Sequence, residues 1–145
     1  MTQAIVLLHG WGLSSAVWAP LQAALDPRLN VRTLDLPGHG NADPAGPTLE
    51  SWSDALLAQL PENSLLVGWS LGAQLALHLA RHHPDRIARL ALISATPRFV
   101  QADDWQAAMP ADTLADFRRS FDLEPTSTQR RFIAKLRDDK HDAGA

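Results

Sequence analysis

Short apolar runs alternate with stretches of helical periodicity over the first two thirds of the chain. The runs fall at residues 4–8, 30–36, 64–68 and 88–94. Apolar runs of this length, bounded by turn residues, are typical of strands buried on both faces of a parallel sheet. Between them, apolar residues recur at helical spacing at 14–26, 48–60 and 71–83. The alternation predicts right-handed βαβ units and an α/β fold with about four parallel strands and flanking helices.

Residues that begin or end helices lie at the edges of these stretches. Ser14 or Ser15 is available to cap the first helix, Thr48 opens the second, and Pro84 marks the end of the third. We therefore expect three helices between the four strands.

The pattern changes after residue 94, where helical periodicity continues and no strand is indicated. The better helices are predicted at 111–121 and 126–137, and the polar residues 138–145 are expected to fray. We therefore predict three parts: an α/β core at 1–97, a helical region at 98–137 and a flexible tail at 138–145.

The composition is that of an ordinary soluble protein. Of the 145 residues, 46% are hydrophobic and 20% charged, which fits a single globular domain with a real core. A net charge of -3 does not indicate a protein that binds nucleic acid. The absence of cysteine excludes disulfides and is compatible with a reducing cytoplasm. The apolar run at 4–8 is too short for a signal peptide or a membrane span, so a cytoplasmic protein is expected.

The sequence GWSLG places Ser70 on a tight corner between the third predicted strand and the helix that follows. In a nucleophile elbow the positions two before and two after the serine must be small, and Gly68 and Gly72 meet that need. The turn would also leave the N–H of Leu71 at a helix N-terminus, where a developing oxyanion is stabilised. Because strand, motif and helix occur in the required order, we favour a nucleophile over a chance glycine turn.

A second oxyanion donor is predicted in the loop LLHGWG, which follows the first strand. The backbone N–H of Trp11 is the candidate. The alternative is a glycine turn in which His9 merely packs locally.

The order of these motifs resembles a known family. HGWG after the first strand, LDLPGHG after the second and GWSLG after the third resemble the α/β-hydrolase fold. VLLHGWGLSSAVW, LVGWSLGAQLA and HHPDRIARLALISATPRF are similar to the pimeloyl-acyl carrier protein methyl ester esterases of biotin synthesis, the BioH family. DDWQAAMPADTLADFRRSF and TSTQRRFIAKL resemble the first lid helices of that family. The likeness runs from about the third strand of the fold to the middle of the lid.

The resemblance implies an activity and a set of site residues. Ser70 would be the nucleophile of a serine carboxylesterase, with the N–H groups of Trp11 and Leu71 as the oxyanion hole. The helical region at 98–137 would be part of a lid. One stretch of it would line the acyl site: Phe132, Ile133, Ala134, Lys135 and Leu136.

The resemblance also implies a partner. The acyl carrier protein that bears the pimeloyl methyl ester is acidic, so basic residues of the lid would guide it. The candidates are Arg118, Arg119, Arg130 and Arg131, with Lys135 and Arg137 beside them. The alternative is a solvated helix face, because Asp116, Asp122 and Asp138 are interspersed.

The family carries its catalytic Asp and His after the lid, and this sequence contains neither segment. We therefore expect a truncated N-terminal half whose four strands lie in the order 2-1-3-4, with an apolar edge at the fourth. The histidines present are not expected to replace the missing base. His9 and His39 lie in loops with no carboxylate to pair them. His78, His82 and His83 lie on the helix after Ser70, and His141 lies in the tail.

Two other interpretations stay open. One is a different lidded hydrolase or lyase, such as one of menaquinone synthesis. The other is an inactive fragment that at most binds acyl carrier protein. No metal cluster, Walker pattern or G-x-G-x-x-G is present, so no metal and no cofactor are expected. A complete protein of this kind would be a monomer.

Overall fold

The computed structural model describes residues 3–138, which fall into two compact units, one up to Thr96 and one from Pro97 on. The first unit is built on a four-stranded parallel sheet in the order β2-β1-β3-β4, which confirms the expected order. Its strands are β1 (Ala4–Leu8), β2 (Asn30–Leu34), β3 (Ser64–Trp69) and β4 (Ile87–Ile93). Its helices are α1 (Ala19–Ala24), α2 (Leu49–Leu57) and α3 (Leu71–His82). The α/β class is therefore confirmed.

The first helix differs from its prediction. A single 3-10 turn at Ser15–Trp18 precedes α1, and Ser14 makes no capping hydrogen bond with its side chain. Ser15 is the first residue of that turn and so is not at the capping position, and its N–H donates to the carboxylate of Asp35. Pro20 has no N–H to donate, so the regular helix begins beside it and not earlier.

The second strand ends two residues sooner than predicted. Asp35 and Leu36 leave the sheet after β2 because their polar groups bind the loops around them. The N–H of Leu36 donates to Nε2 of His9 at 3.0 Å. The chain thus turns into the site region at Asp35.

Helices α2 and α3 cover the sheet and close its core. Thr48 and Ser51 form a reciprocal capping box at the start of α2. The buried core joins side chains from the sheet, from both helices and from the segments after β2 and α2: Val6, Leu8, Leu36, Leu56, Leu60, Leu66, Leu75, Ala76 and Leu79. Trp52 and Leu57 pack against it, as the helical spacing of apolar residues at 48–60 predicts.

Strand β4 lies at the edge of the described sheet. It pairs with β3 from Ile87 to Ile93, and its other side has no strand within residues 3–138. Leu92 and Ile93 are 37% and 44% exposed. The expected apolar edge is thereby confirmed.

The second unit contains α4 (Ala111–Leu123) and α5 (Pro125–Asp138). The rings of Phe117 and Phe132 pack edge to face with centroids 6.0 Å apart. The buried hydroxyl of Thr128 donates to the carbonyl of Ser120 at 2.9 Å. Within the described part of the chain, none of the helices is long and apolar enough to cross a membrane. The predicted tail lies outside the described residues except for its first position.

Candidate active site

Ser70 occupies a strained turn between β3 and α3. Its backbone has φ 54° and ψ -113°, a combination that costs a residue with a Cβ of order 1–3 kcal/mol. The N–H of Ser70 donates to the carbonyl of Ile93 at 2.9 Å. The Ser70 carbonyl accepts from the N–H groups of Ala73 at 2.9 Å and Gln74 at 3.1 Å. Hydrogen bonds on both sides therefore hold the serine in the elbow geometry that GWSLG predicts.

The two glycines that flank the turn are required by close backbone contacts. A Cβ on Gly68 would lie 2.5 Å from Cα of Ala73 and 2.6 Å from its nitrogen. A Cβ on Gly72 would lie 2.6 Å from the carbonyl oxygen of His9 and 2.7 Å from the carbonyl carbon of Leu8. Backbone atoms at such distances cannot give way, so the prediction that both positions must be small is confirmed.

The two predicted oxyanion donors lie at either side of this turn. Leu71 is the first residue of α3, where the helix supplies no acceptor for its N–H and the dipole favours negative charge. The loop after β1 lies against the elbow, because a Cβ on Gly10 would be 3.5 Å from Cβ of Ser70 and 3.6 Å from the carbonyl oxygen of Trp69. Trp11 follows directly in that loop. The roles of Trp11 and Leu71 stay predictions.

His9 is fully buried and uses both ring nitrogens to hold backbone groups. Its Nε2 accepts the N–H of Leu36 at 3.0 Å. A nitrogen that accepts carries no proton, so Nδ1 bears it and donates to the carbonyl of Gly10 at 2.7 Å. Burial, aided by the neighbouring His39, lowers the pKa of His9 despite the opposing effects of Gly10 and Asp35. The ring is thus neutral and already engaged, which leaves it no lone pair for Ser70.

His39 repeats this arrangement one loop further along. Its Nε2 accepts the N–H of Gly12 at 3.1 Å, and Nδ1 donates to the carbonyl of Pro37 at 3.0 Å. Its ring lies 5.3 Å from that of His9 and 5.8 Å from that of Trp52, centroid to centroid. Like His9, it serves the loops and is not placed as a base.

Asp35 corrects one expectation, which was that no carboxylate would lie near these histidines. Its Oδ1 is 3.8 Å from Nε2 of His9, although the lone pair of that nitrogen is occupied by Leu36. The carboxylate accepts the N–H groups of Ser15 at 2.6 Å and Asn41 at 2.9 Å. Burial opposes ionisation, but these hydrogen bonds and the attraction of His9 hold the pKa of Asp35 below its ordinary value.

Asp35 therefore joins the loop after β1 to the loop after β2. The sequence carries a signal for it that was missed. In LDLPGHG an aspartate closes an apolar strand directly before a glycine turn. A Cβ on Gly40, which has φ 54°, would overlap the carboxylate of Asp35. In this motif the loop that contains Gly40 therefore packs closely against the carboxylate of Asp35.

The other histidines stand away from Ser70. His78 lies eight residues beyond Ser70 along α3, about 12 Å at the rise of an α-helix. Nδ1 of His82 donates to the carbonyl of His78 at 2.9 Å, and the two rings stack with centroids 4.1 Å apart. His141 lies outside the described residues. Between residues 3 and 138, then, no histidine is placed to activate Ser70, and no group of three metal-binding side chains occurs.

The five predicted acyl-site residues occupy successive positions of α5. At about 100° per residue they point around the whole helix and not from one face. Phe132 packs on Phe117, and Leu136 is half-buried. Ile133 and Ala134 line an open cleft of about 410 Å³ together with Arg130 and Arg137, and Lys135 is exposed. Their role at the acyl site stays a prediction.

The four predicted carrier-binding arginines fall into two kinds. Arg119 pairs with Asp116, and Arg131 lies 3.7 Å from Glu124 while donating to Ser127 and Thr128. Arg118 and Arg130 are exposed and form no ion pair within the described part of the chain. Of the four arginines, these two carry a positive charge that no described carboxylate neutralises, so they are the better candidates for contact with an acidic partner.

Comparison with known proteins gives one consistent likeness. Residues 3–139 match the family described as alpha/beta hydrolase fold. The chain is 49% identical over 135 residues to a pimeloyl-[acyl-carrier protein] methyl ester esterase of Aromatoleum aromaticum, covering 90% of this chain and 54% of the relative. The esterase of the same name from Vibrio cholerae is 38% identical, with 91% of this chain and 52% of the relative covered. The chain spans about half the length of the curated relatives it matches.

Solved structures give the same fold. An esterase from Exiguobacterium antarcticum superimposes with a TM-score of 0.78 at 24% identity, over 90% of this chain and 52% of that one. A hydrolase from Oleispira antarctica, olei00960, gives a TM-score of 0.81 at 21% identity, over 94% of this chain and 54% of that one. At these identities the likeness concerns the architecture alone.

Proposed function

Because the chain belongs to the α/β-hydrolase fold family, we propose that Ser70 is the nucleophile of a serine carboxylesterase. The observation that carries the proposal is the turn itself. Ser70 has φ 54° on a strand-to-helix corner whose flanking glycines touch backbone. Backbone strain clusters at functional sites, and a serine on a strand-to-helix corner is the arrangement of a nucleophile elbow.

The reaction proposed is acyl transfer in two steps. Oγ of Ser70 loses its proton to a general base and attacks the ester carbonyl, and the N–H groups of Trp11 and Leu71 stabilise the oxyanion that forms. The intermediate collapses, the base returns the proton, and methanol leaves. Water, deprotonated by the same base, then releases the carboxylic acid from Ser70.

The substrate proposed is the methyl ester of a pimeloyl chain on acyl carrier protein. Relatives up to 49% identical bear the name of that esterase. Arg118 and Arg130 are exposed on the proposed lid helices and form no ion pair with another described residue, so they would attract an acidic carrier. The apolar residues of the α5 cleft would meet the acyl chain. Since carrier-linked acyl synthesis takes place there, the cytoplasm is the proposed location.

The general base and its acidic partner are proposed to come from polypeptide that the structure does not describe. Both ring nitrogens of His9 and of His39 are engaged, and the helix histidines are at least two turns from Ser70. A base has to come within hydrogen-bond reach of the nucleophile. This requirement also supports a second candidate, an inactive fragment that binds the carrier without hydrolysing its ester.

Methanol release from pimeloyl-carrier methyl ester tests the proposal on protein purified from its own cells. We expect hydrolysis that is lost in Ser70→Ala and that prefers the carrier-linked ester over free dimethyl pimelate. Hydrolysis of free esters with no carrier preference would point instead to a different lidded hydrolase. Carrier binding without methanol release, in a protein that folds as described, would support the inactive fragment and overturn the esterase.

A further inference from the structure

Resting on the proposed function, we infer that His9 is a positioning residue that aims the Trp11 N–H at the oxyanion. Nδ1–H of His9 donates to the carbonyl of Gly10 at 2.7 Å in a fully buried setting. His9 cannot serve as the base itself, because both of its ring nitrogens are engaged with backbone groups.

The geometry of a peptide unit transmits this bond to Trp11. The Gly10 carbonyl and the Trp11 N–H belong to the same planar trans unit, so they point in opposite directions. Fixing the carbonyl therefore fixes the line of the N–H. Because Gly10 lies against Ser70, rotation of this one peptide plane would turn the donor away from the reacting carbonyl.

The next peptide is held by the second histidine. Nε2 of His39 accepts the N–H of Gly12 at 3.1 Å. The two imidazole rings thus form hydrogen bonds with the loop at Gly10 and at Gly12, the residues on either side of Trp11. A donor held in this way needs no reorganisation when the oxyanion forms, which is the property that makes an oxyanion hole effective.

The arrangement requires a neutral ring with its proton on Nδ1. If Nε2 of His9 were protonated, it would face the N–H of Leu36, and two donors would meet in a buried site. Burial lowers the pKa of His9, and the ring of His39 adds to the effect. Asp35, the carboxylate that faces it, opposes the shift. The balance leaves the neutral form in place at neutral pH.

The competing explanation is purely structural. His9 also links the ends of β1 and β2 through Leu36 at 3.0 Å, and that bond alone would justify a buried histidine. The two roles use different ring nitrogens. The Nδ2 amide of an asparagine reaches the place of Nδ1, whereas the Oε1 or Nε2 of a glutamine reaches the place of Nε2.

His9→Asn and His9→Gln therefore form a matched pair. His9→Asn keeps a donor for Gly10 and loses the acceptor for Leu36, and His9→Gln does the reverse. We expect His9→Gln to lower kcat for ester hydrolysis about 10²-fold with little change in KM, the size expected when one oxyanion donor is lost. We expect His9→Asn to keep kcat within about threefold. The opposite ranking, or equal losses, overturns the inference.

A readout that needs no activity separates this inference from the proposed function. The residual dipolar coupling of the Trp11 N–H bond reports the orientation of its peptide plane. We expect it to be unchanged in His9→Asn and altered in His9→Gln, even if the protein hydrolyses nothing. If hydrolysis is absent from the parent, the proposed function fails. If the coupling does not follow Nδ1, the inference fails.

If neither variant folds, one measurement on the parent protein still tests the inference. The ¹⁵N shifts of the His9 ring distinguish a protonated from an unprotonated nitrogen. The inference requires a protonated Nδ1 and a bare Nε2 at neutral pH. The other tautomer, or an imidazolium, would overturn it.

Discussion

The backbone N–H of Ser70 donates to the carbonyl of Ile93 at 2.9 Å, so the last residue of the edge strand β4 holds the proposed nucleophile in its strained turn. Strand and turn are consequently coupled. Fraying of β4 at its C-terminal end would remove one of the hydrogen bonds that hold Ser70 at φ 54°. The geometry of the site thus depends on the most exposed strand of the described sheet.

The strain at Ser70 predicts a stability difference between two small substitutions. Ser70→Gly should be more stable than Ser70→Ala by about 1–2 kcal/mol, because glycine adopts positive φ without steric cost and alanine does not. The free energy of unfolding in urea measures the difference. Equal stabilities would mean that the turn is not strained.

The contacts around Gly72 and Gly10 predict that an alanine lowers the stability of the fold at the first position and not at the second. Gly72→Ala should lower the free energy of unfolding by about 1–3 kcal/mol, because its Cβ would meet the backbone of Leu8 and His9. Gly10→Ala is the matched control, since its Cβ would find ordinary contacts from 3.5 Å outward. Urea unfolding of both variants checks this, and a Gly72→Ala protein as stable as Gly10→Ala would contradict the described packing.

The carboxylate of Asp35 predicts a loss that its exposed neighbour does not share. Asp35→Asn should cost about 1.5–3 kcal/mol, because one of the two N–H groups of Ser15 and Asn41 would then face an amide donor. Asp43→Asn, in the same loop and exposed, should change stability by less than about 0.5 kcal/mol. Thermal unfolding at neutral pH compares them, and similar melting temperatures for the two variants would refute the assignment.

The lowered pKa of His9 predicts how stability depends on pH. The unfolded chain takes up a proton near the ordinary value of 6.5, whereas folded His9 does so only at lower pH because it is buried. Between these values the unfolded state binds more protons, so stability is complete above about pH 6.5 and falls as the pH drops towards the lowered value.

Replacing His9 should remove this part of the pH dependence. His9→Gln is expected to unfold with a flatter profile between pH 7 and 5 than the parent. His78 also has a pKa lowered by burial, so His78→Gln is the control and should keep the His9 component. Asp35 does not interfere, because its pKa lies below its ordinary 3.8 and its contribution is lost only at lower pH. A profile unchanged in His9→Gln would contradict a buried neutral ring.

The pairing of the arginines predicts which one matters to the carrier. Arg130→Glu should weaken binding of acyl carrier protein about tenfold in low salt, and the loss should shrink as salt screens the charges. Arg119→Glu should have a smaller effect, because Asp116 already neutralises that guanidinium. Titration by fluorescence anisotropy at two ionic strengths tests the order, and a larger loss for Arg119→Glu would reverse the interpretation.

Local patterns were enough to predict the strands, the helices between them and the Ser70 elbow, because these follow from rules that act within a few residues, whereas the sheet order was expected from the family resemblance. Small residues two before and two after the serine, and apolar runs between helices, carry that information. The partners of His9 and Asp35 were missed, since they join residues 20 and 27 positions apart along the chain. The hydrogen bond from the N–H of Ser15 to Asp35 was missed for the same reason, because it joins two different loops.

Reaction with a fluorophosphonate, followed by intact mass and peptide mapping, tests the central claim most directly. The protein purified from its own cells should gain one phosphonyl group on Ser70. Ser70→Ala should gain none, and Ser94→Ala, which removes another serine at positive φ, should react like the parent. An unmodified Ser70 in the folded protein, or a label on any other residue, would contradict the account.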